Sequence, residues 1–203
     1  MTVIASLSVS LDGFYTGPDP SAENMMGTGG APLHGWFAHD VADRHQLTAD
    51  DILRPEFERT GALVMGRDSY EHAQAAWGPH PPFEMPIFVV TSRAREADVR
   101  DGSTFHFVTE GFESAIAHAQ QAAAGKDVGL HGGGAVRQGL RTGLLDELQL
   151  HLVPVLLGRG RRWCDELDSA SVELDIDRVA EGPGVTHLRY RVRRDARQLS
   201  RAR

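Results

Sequence analysis

Short apolar runs, each followed by glycine or a polar turn, predict the strands of this chain. The first run is rich in β-branched residues and stops at Asp12-Gly13, which indicates a buried strand that ends in a turn. Continuous apolar runs of this length are typical of strands buried on both faces of a sheet. The five runs are residues 2–11, 62–65, 87–91, 104–108 and 128–131.

Helical spacing fills much of the chain between these runs. Thr48 and Asp51 form a capping signal for helical structure from about 48 to 60, which Pro55 is expected to disturb. Residues 68–76 and 112–124 have helical patterns, and residues 33–45 indicate a further helix. The glycine- and proline-rich segment 14–32 predicts a long loop, which in a compact domain is usually functional or mobile.

From residue 146 onward the pattern changes to strands alone. Residues 146–157 alternate and then become apolar, and residues 172–180 and 185–192 read as a closing antiparallel pair. Strands that alternate with helices and then continue alone predict an α/β fold. We expect a central mixed, mostly parallel sheet flanked by helices, with an antiparallel C-terminal hairpin. The interpretation is one domain over residues 1–193 and a basic tail over residues 194–203.

The charge balance bears on possible partners. The chain of 203 residues has a formal net charge of −7, which argues against nucleic-acid binding by its body. The last fifteen residues nevertheless hold seven arginines and one acid. The favoured interpretation is a final strand followed by a frayed, solvated terminus, and the alternative is an interaction module that uses this basic tail.

Cysteine usage and hydropathy bear on the compartment. Cys164 is the single cysteine, so no disulfide can form within the chain, which fits a cytoplasmic protein. We expect no signal peptide, because the first residues lack a basic segment followed by a long apolar one. No apolar run approaches the length needed to cross a membrane, so no membrane partner is expected.

Three loops that follow apolar runs carry the candidate chemistry. They are Gly66-Arg67-Asp68-Ser69, Thr91-Ser92-Arg93 and Gly132-Gly133-Gly134, and the last leads into a helical segment through Ala135 and Val136. The carboxyl ends of parallel strands share one edge, so these loops can converge there. Glycine turns, hydroxyls and two arginines suit a dinucleotide with an added 2′-phosphate. The alternative is that the arginines are solvated and that the hydroxyls cap helices.

The ordered set of motifs resembles the dihydrofolate-reductase-like superfamily, in the branch of the reductase domain of bacterial riboflavin biosynthesis. The matching pieces span most of the chain in family order. They are SLDGF at 10–14, LVMGRDSY at 63–70, VVTSR at 89–93, HGGG at 131–134, and DEL at 146–148 through PVLLG at 154–158.

The resemblance implies an NADPH-dependent reductase. It would transfer a hydride to a small heterocyclic substrate, as 5-amino-6-(5-phosphoribosylamino)uracil reductases and dihydrofolate reductases do. It implies adenosine phosphate binding near Arg67, Ser69, Ser92 and Arg93, and pyrophosphate binding at Gly132–Gly134. The loop at residues 12–14 would cover the nicotinamide and substrate, and a homodimer is expected. The full set of cofactor-binding candidates is Gly66, Arg67, Ser69, Thr91, Ser92, Arg93, Gly132, Gly133, Gly134, Ala135 and Val136.

The catalytic candidates are Asp12 and Asp51. Asp12 has the alternative role of a turn residue, and Asp51 that of a helix-capping carboxylate. Phe14 and Trp36 are the candidate substrate walls, with packing in the core as the alternative for such aromatic residues. Because no clear proton donor stands out, an NADPH-binding sensor or scaffold without turnover remains the alternative function.

Histidines allow two further interpretations. His131 either packs in the core or faces the cofactor, and the first is favoured because buried polar groups are usually satisfied. His34, His39 and His45 fall on one stretch, but their spacing does not keep one helix face and no HExxH motif occurs. We therefore expect no metal site.

Overall fold

A computed structural model describes residues 1–38, 47–165, 167 and 171–193. Its main sheet has nine strands in the order β10-β11-β8-β1-β7-β3-β4-β6-β5, and β2 pairs with β9 in a small second sheet. The strands are β1 (Val3–Ser10), β2 (Phe14–Thr16), β3 (Thr60–Gly66), β4 (Pro86–Val90), β5 (Asp98–Arg100), β6 (Ser103–Val108), β7 (Asp127–His131), β8 (Glu147–Val153), β9 (Arg161–Arg162), β10 (Leu174–Gly182) and β11 (Val185–Val192). The helices are α1 (Ala49–Arg59), α2 (Arg67–Trp77), α3 (Phe112–Ala122) and α4 (Gly133–Thr142), with a 3₁₀ helix at Ala31–Ala38.

The centre of the main sheet is parallel. Strand β1 pairs in parallel with β7 and β8, and β3 pairs in parallel with β7 and β4. Antiparallel partners flank this centre, because β11 pairs with β8 and β10, and β5 pairs with β6. The predicted mixed, mostly parallel sheet with an antiparallel C-terminal hairpin is confirmed.

Alternating side chains of the central strands pack on both faces of the sheet. Ala62 and Val64 of β3 face one core with α3 and α4, whereas Leu63 and Met65 face another with Tyr70 of α2. Burial on both faces explains why these strands are continuous apolar runs rather than alternating ones.

The helices differ from the predictions in two places. Helix α1 runs through Pro55 without a break, contrary to the expected disturbance. Thr48 and Asp51 make the predicted capping box at its first turn. The segment 33–45 begins instead as the 3₁₀ helix Ala31–Ala38, and residues 39–46, with His39 and His45, lie outside the described residues.

The C-terminal strands follow the pattern closely. Strand β8 stops at Val153, immediately before Pro154, because proline cannot donate to a sheet ladder. Strands β10 and β11 form the predicted hairpin around Pro183-Gly184. The basic tail at residues 194–203 lies outside the described residues. In the part of the chain that the structure describes, no helix is both long and apolar enough to cross a membrane.

A charged cluster ties the amino-terminal ends of the strands together. The Arg59 guanidinium at the end of α1 donates to Asp127 at 2.6 Å and to both oxygens of Glu147, at 2.9 and 3.2 Å. Asp127 also accepts from the backbone N–H of Thr2 at 2.9 Å. One side chain therefore links α1, β7 and β8 at the edge opposite the glycine turns. Charge-assisted, forked hydrogen bonds of this kind are the strong ones.

We expect Arg59→Met to lower the free energy of unfolding by about 2 kcal/mol, because it leaves two partly buried carboxylates unpaired. Arg54→Met is the matched control, because Arg54 pairs with Asp50 where their side chains are 60% and 70% exposed. The control should change stability by less than about 0.5 kcal/mol. Urea unfolding of both variants measures the difference, and equal losses would contradict the assignment.

Candidate active site

One large cavity lies where the carboxyl ends of the parallel strands meet. Its volume is about 1450 Å³. That exceeds the roughly 300–1,000 Å³ of a pocket for one drug-sized ligand, so it has room for a dinucleotide and a second small molecule. Eight of the predicted cofactor-binding residues line it, and they come from all three predicted loops. They are Gly66, Arg67, Ser69, Thr91, Ser92, Gly132, Gly134 and Ala135.

The glycine turn after β7 is shaped by two close neighbours. Gly132 has φ of +83°, and a Cβ there would lie 2.2 Å from the Ser69 hydroxyl oxygen. A Cβ on Gly133 would lie 2.4 Å from the Tyr15 ring. A Cβ on Gly134 would meet nothing within 4 Å, and this residue lines the cavity. The first two glycines let the turn pack, and the third leaves open space into which a ligand can fit.

Two helices begin at this cavity without a side-chain cap. The N-cap residue is Gly66 in α2 and Gly132 in α4. Neither of these described glycines makes a side-chain hydrogen bond that would cap the N–H groups of its helix. The first N–H groups of a helix lack partners inside the helix and carry its partial positive charge. The two helix starts therefore present the partial positive charge of their N–H groups to the same cavity, an arrangement that suits an anion.

Arg67, the first residue of α2, is one of the arginines that line the cavity. Its Nη2 reaches Asp68 at 3.3 Å, and its Nε lies 3.7 Å from a Glu71 oxygen, beyond hydrogen-bond reach. Three lining residues carry a buried polar atom for which the described part of the chain supplies no partner. These atoms are Thr16 Oγ1, Arg67 Nε and His131 Nδ1. Because buried polar groups are normally paired, they mark places where a ligand or water belongs.

The remaining predicted cofactor residues do not line the cavity. Arg93 is exposed, and its backbone N–H donates to Thr91 Oγ1 at 3.1 Å, so the Thr91 hydroxyl serves the turn. Val136 is fully buried in the core, because it lies on the inner face of α4. Gly133 is covered by Tyr15.

The predicted catalytic acids also do not line the cavity. Asp12 clamps the turn after β1: its carboxylate accepts from Ser10 Oγ at 2.6 Å and from the amides of Leu157 and Gly158 at 3.1 and 2.7 Å. The Ser10 hydroxyl and then these amides lower the pKa of Asp12 to about 2. Asp51 is the capping carboxylate of α1, which was its alternative role. Both side chains are committed to local structure rather than to the cavity.

The predicted substrate walls lie behind the cavity lining. Phe14 is buried, with the Arg162 guanidinium 4.4 Å from its ring centre, and the next residue of β2, Tyr15, lines the cavity instead. The exchange follows from the alternation of side chains along a strand. Trp36 is buried and donates from Nε1 to Ser8 Oγ at 3.0 Å.

Glu56 is the functional candidate that the sequence interpretation missed. Leu53, Glu56 and Phe57 line the cavity at the i, i+3, i+4 spacing of one helix face. A carboxylate on that apolar stripe was the available signal. The expected disturbance at Pro55 hid it, because the stripe is visible only if α1 continues through the proline.

Burial makes Glu56 an acid that titrates near neutrality. Its side chain is 13% exposed, and this desolvation raises its pKa from 4.5 to about 7. The Ser6 hydroxyl and the positive charge of Arg189, whose Nη2 lies 3.9 Å from the carboxylate, oppose the rise. Unlike the two predicted acids, Glu56 faces the cavity with a pKa that lets it hold or release a proton at neutral pH.

Histidines line the same end of the cavity. Burial lowers the pKa of His131 to about 4, and its ring lies edge-on to Trp77 and Phe83, with centroids 5.6 and 5.5 Å apart. His131 thus packs among aromatic rings and lines the cavity, but its Nδ1 lacks the partner among the described residues that a satisfied core imidazole would have. His34 lines the cavity too, and burial lowers its pKa.

A family model of the RibD C-terminal domain matches residues 1–188. The chain belongs to this family. The RibD C-terminal domain therefore accounts for nearly all of the described chain, and membership supports a reductase of the RibD and dihydrofolate reductase type. A comparison with curated proteins finds no match.

Solved structures share the fold of this RibD C-terminal domain. A Shewanella sp. PV-4 protein ascribed to riboflavin biosynthesis aligns with a TM-score of 0.72 at 21% identity, covering 96% of this chain and 100% of that one. A pyrimidine reductase-like protein of Corynebacterium diphtheriae gives 0.59 at 15% identity, with 96% and 92% coverage. Dihydrofolate reductase of Enterococcus faecalis, complexed with NADP(H) and RAB-propyl, gives 0.53 at 17% identity, with 95% and 97% coverage. The fold is therefore dihydrofolate-reductase-like.

We expect Glu56→Gln to stabilise the domain at pH 8 by about 2 kcal/mol and to leave it nearly unchanged at pH 4.5. The folded state holds this proton up to about pH 7 and the unfolded state only to about pH 4.5, so wild-type stability falls as pH rises through that window. Glutamine has no charge to desolvate. Urea unfolding at both pH values measures the difference.

Glu58→Gln is the control for this experiment, because Glu58 is exposed on the same helix. It should give no comparable gain at pH 8. A gain for Glu56→Gln that is equal at both pH values would contradict a buried, titrating carboxyl.

Proposed function

We propose that this domain is an NADPH-dependent reductase that transfers a hydride to a small heterocyclic substrate, with Glu56 as the proton donor. The substrate would be of the type used by 5-amino-6-(5-phosphoribosylamino)uracil reductase or dihydrofolate reductase. One observation carries the proposal: a carboxyl with a near-neutral pKa lines the same cavity as residues of all three predicted loops.

The anion-binding end fits a phosphorylated dinucleotide. The starts of α2 and α4 and the open space at Gly134 suit a pyrophosphate, and no side chain of the described residues fills that space. Arg67, Ser69 and Ser92 would hold the 2′-phosphate that distinguishes NADPH from NADH. NADPH, when bound, supplies the hydride, and the protein supplies position and electrostatics.

The other end fits a planar, hydrogen-bonding substrate. Leu53 and Phe57 give an apolar wall, and Glu56 lies between them on the same face of α1. A neutral carboxyl in such a wall can donate to a ring nitrogen and give up its proton as the ring is reduced. A pKa near the working pH is the best value for an acid that must both hold and transfer a proton.

Arginines at the rim bear on the substrate class. Arg137, Arg161 and Arg162 line the cavity, so a substrate with a ribosyl phosphate would meet cations there. Arg161 also lies 3.4 Å from Asp68, and Arg162 covers the Phe14 ring. A pterin would need none of these charges. A comparison of phosphorylated and unphosphorylated substrates therefore tests the two types directly.

The alternative, an NADPH-binding protein without turnover, was motivated by the lack of a visible proton donor. Glu56 supplies one, which weighs towards an enzyme.

The homodimer stays a proposal. Strand β8 is internal to the sheet between β1 and β11, while β10 is at the edge with Ile176 and Val179 exposed.

We expect NADPH to bind at micromolar concentration, and Arg67→Met to weaken that binding at least about tenfold while leaving NADH binding unchanged. Titration followed by nicotinamide fluorescence measures both. Arg54→Met, which removes an exposed arginine of α1, is the control and should bind both cofactors as the wild type does. Equal losses for NADPH and NADH would mean that Arg67 does not contact the 2′-phosphate.

We expect Glu56→Gln to reduce the rate of NADPH oxidation with substrate by about 100-fold while NADPH affinity stays within about twofold of wild type. The substrates to test are a pterin, a pyrimidine and a ribosyl-pyrimidine phosphate. Tight NADPH binding without oxidation by any of them would favour the sensor or scaffold. Absence of NADPH binding would reject both functions.

A further inference from the structure

A line of hydrogen bonds leads from the cavity into the protein behind Glu56. Ser6 Oγ lies 2.8 Å from His151 Nε2, and His151 Nδ1 lies 2.8 Å from His187 Nδ1. At the cavity end, Ser6 and Glu56 line the same cavity, and hydrogen bonding by the Ser6 hydroxyl lowers the pKa of Glu56. The two imidazoles are 2% and 3% exposed, and Trp36 packs against both, with ring centroids 4.6 and 5.1 Å away.

The proton count in this line is constrained. Burial lowers the pKa of His151 to about 3 and that of His187 to about 4, so each ring is neutral at pH 7 and carries one N–H. A hydrogen bond between two Nδ1 atoms needs one proton between them. If His187 is protonated on Nδ1, His151 must be protonated on Nε2. If His151 is protonated on Nδ1, His187 must be protonated on Nε2. The two tautomers are therefore coupled.

Each arrangement fits one protonation state of Glu56. In the first, His151 Nε2–H donates to Ser6, whose hydroxyl is free to donate to an ionised Glu56. In the second, His151 Nε2 accepts from the Ser6 hydroxyl, and the Ser6 oxygen accepts from a protonated Glu56. Adding one proton to the first gives the second, with every hydrogen bond of the line reversed and every group neutral.

The far end of the line favours the first arrangement. Among the described residues, His187 Nε2 is buried and has no hydrogen-bond partner. In the first arrangement this atom is a bare lone pair, and in the second it is an unpaired N–H, which is rarer in proteins and more costly. The line thus counteracts the rise in the Glu56 pKa that desolvation causes, and it favours release of the proton.

We propose that His151 and His187 are positioning residues that act through Ser6: they exchange tautomers whenever Glu56 gains or loses its proton, and so favour proton release to the substrate. The proposal rests on the proposed function in taking Glu56 as the acid. Other charged and titratable groups face the line, namely Arg59 and Glu147 beside Arg189 at Glu56, and His34 and Arg178 near the imidazoles. They shift the midpoint of the Glu56 titration. The hydrogen-bonded line links that titration to the tautomers, because Ser6 has a single O–H to donate, either to an ionised Glu56 or to His151.

The test is a pH titration of the ligand-free protein by NMR, with ¹⁵N-labelled histidine and ¹³C-labelled glutamate. We expect the Glu56 carboxyl to titrate near pH 7, and the protonated nitrogen of both His151 and His187 to change with the same midpoint. His131, a buried histidine outside the line, is the internal control and should keep its signals. Rings that hold the same tautomer on both sides of the Glu56 transition, or that become imidazolium, would overturn the proposal.

Ser6→Ala cuts the line and gives a second readout. The Glu56 carboxyl should still titrate, now at higher pH because a hydrogen bond to its ionised form is lost, while both histidines keep one tautomer from pH 5 to 9. Histidines that still switch in this variant would contradict coupling through Ser6. No substrate is used, so tautomer exchange without reductase turnover would reject the function alone, and turnover dependent on Glu56 with fixed tautomers would reject the line alone.

Discussion

The register of the parallel strands is the constraint on which this site depends. Met65 of β3 pairs with His131 of β7, and Gly66 pairs with Val90 of β4. The three turns that follow therefore start at the same level of the sheet, although more than sixty residues separate the first from the last. A shift of one residue in either pairing would move the side chains of the shifted strand to the opposite face of the sheet. The loop that follows that strand would then no longer start level with the other two.

Helix α1 uses its position above the sheet for two opposite purposes. At its last turn Arg59 closes the amino-terminal edge of the strands, and one turn earlier Glu56 faces the cavity. Arg59 is satisfied by two carboxylates, so its charge stabilises the fold. Glu56 has only Arg189 as an ion-pair partner among the described residues, at 3.9 Å, and burial outweighs that charge, so ionising Glu56 is costly and its pKa stays raised.

The parts of the site that could be predicted are local in sequence. A strand, a glycine turn and a helix start lie within a few residues, so the three loops were visible. Predicting that Glu56 faces the cavity required the knowledge that α1 continues through Pro55. Predicting that Tyr15 rather than Phe14 lines the cavity required knowing which face of the three-residue strand β2 points there. That orientation depends on the pairing of β2 with β9. The contact of His151 with His187 joins β8 to β11, and no periodicity within either strand indicates it.

The bare start of α2 has a consequence for how this protein can change. Gly66 has an ordinary φ of −80°, and a Cβ there would meet nothing within 4 Å. Serine or aspartate would fit and would cap the helix, a substitution that commonly strengthens a fold. The same side chain would occupy the space that the proposed function assigns to an anion. A cap that stabilises α2 at this one position would therefore obstruct the proposed ligand.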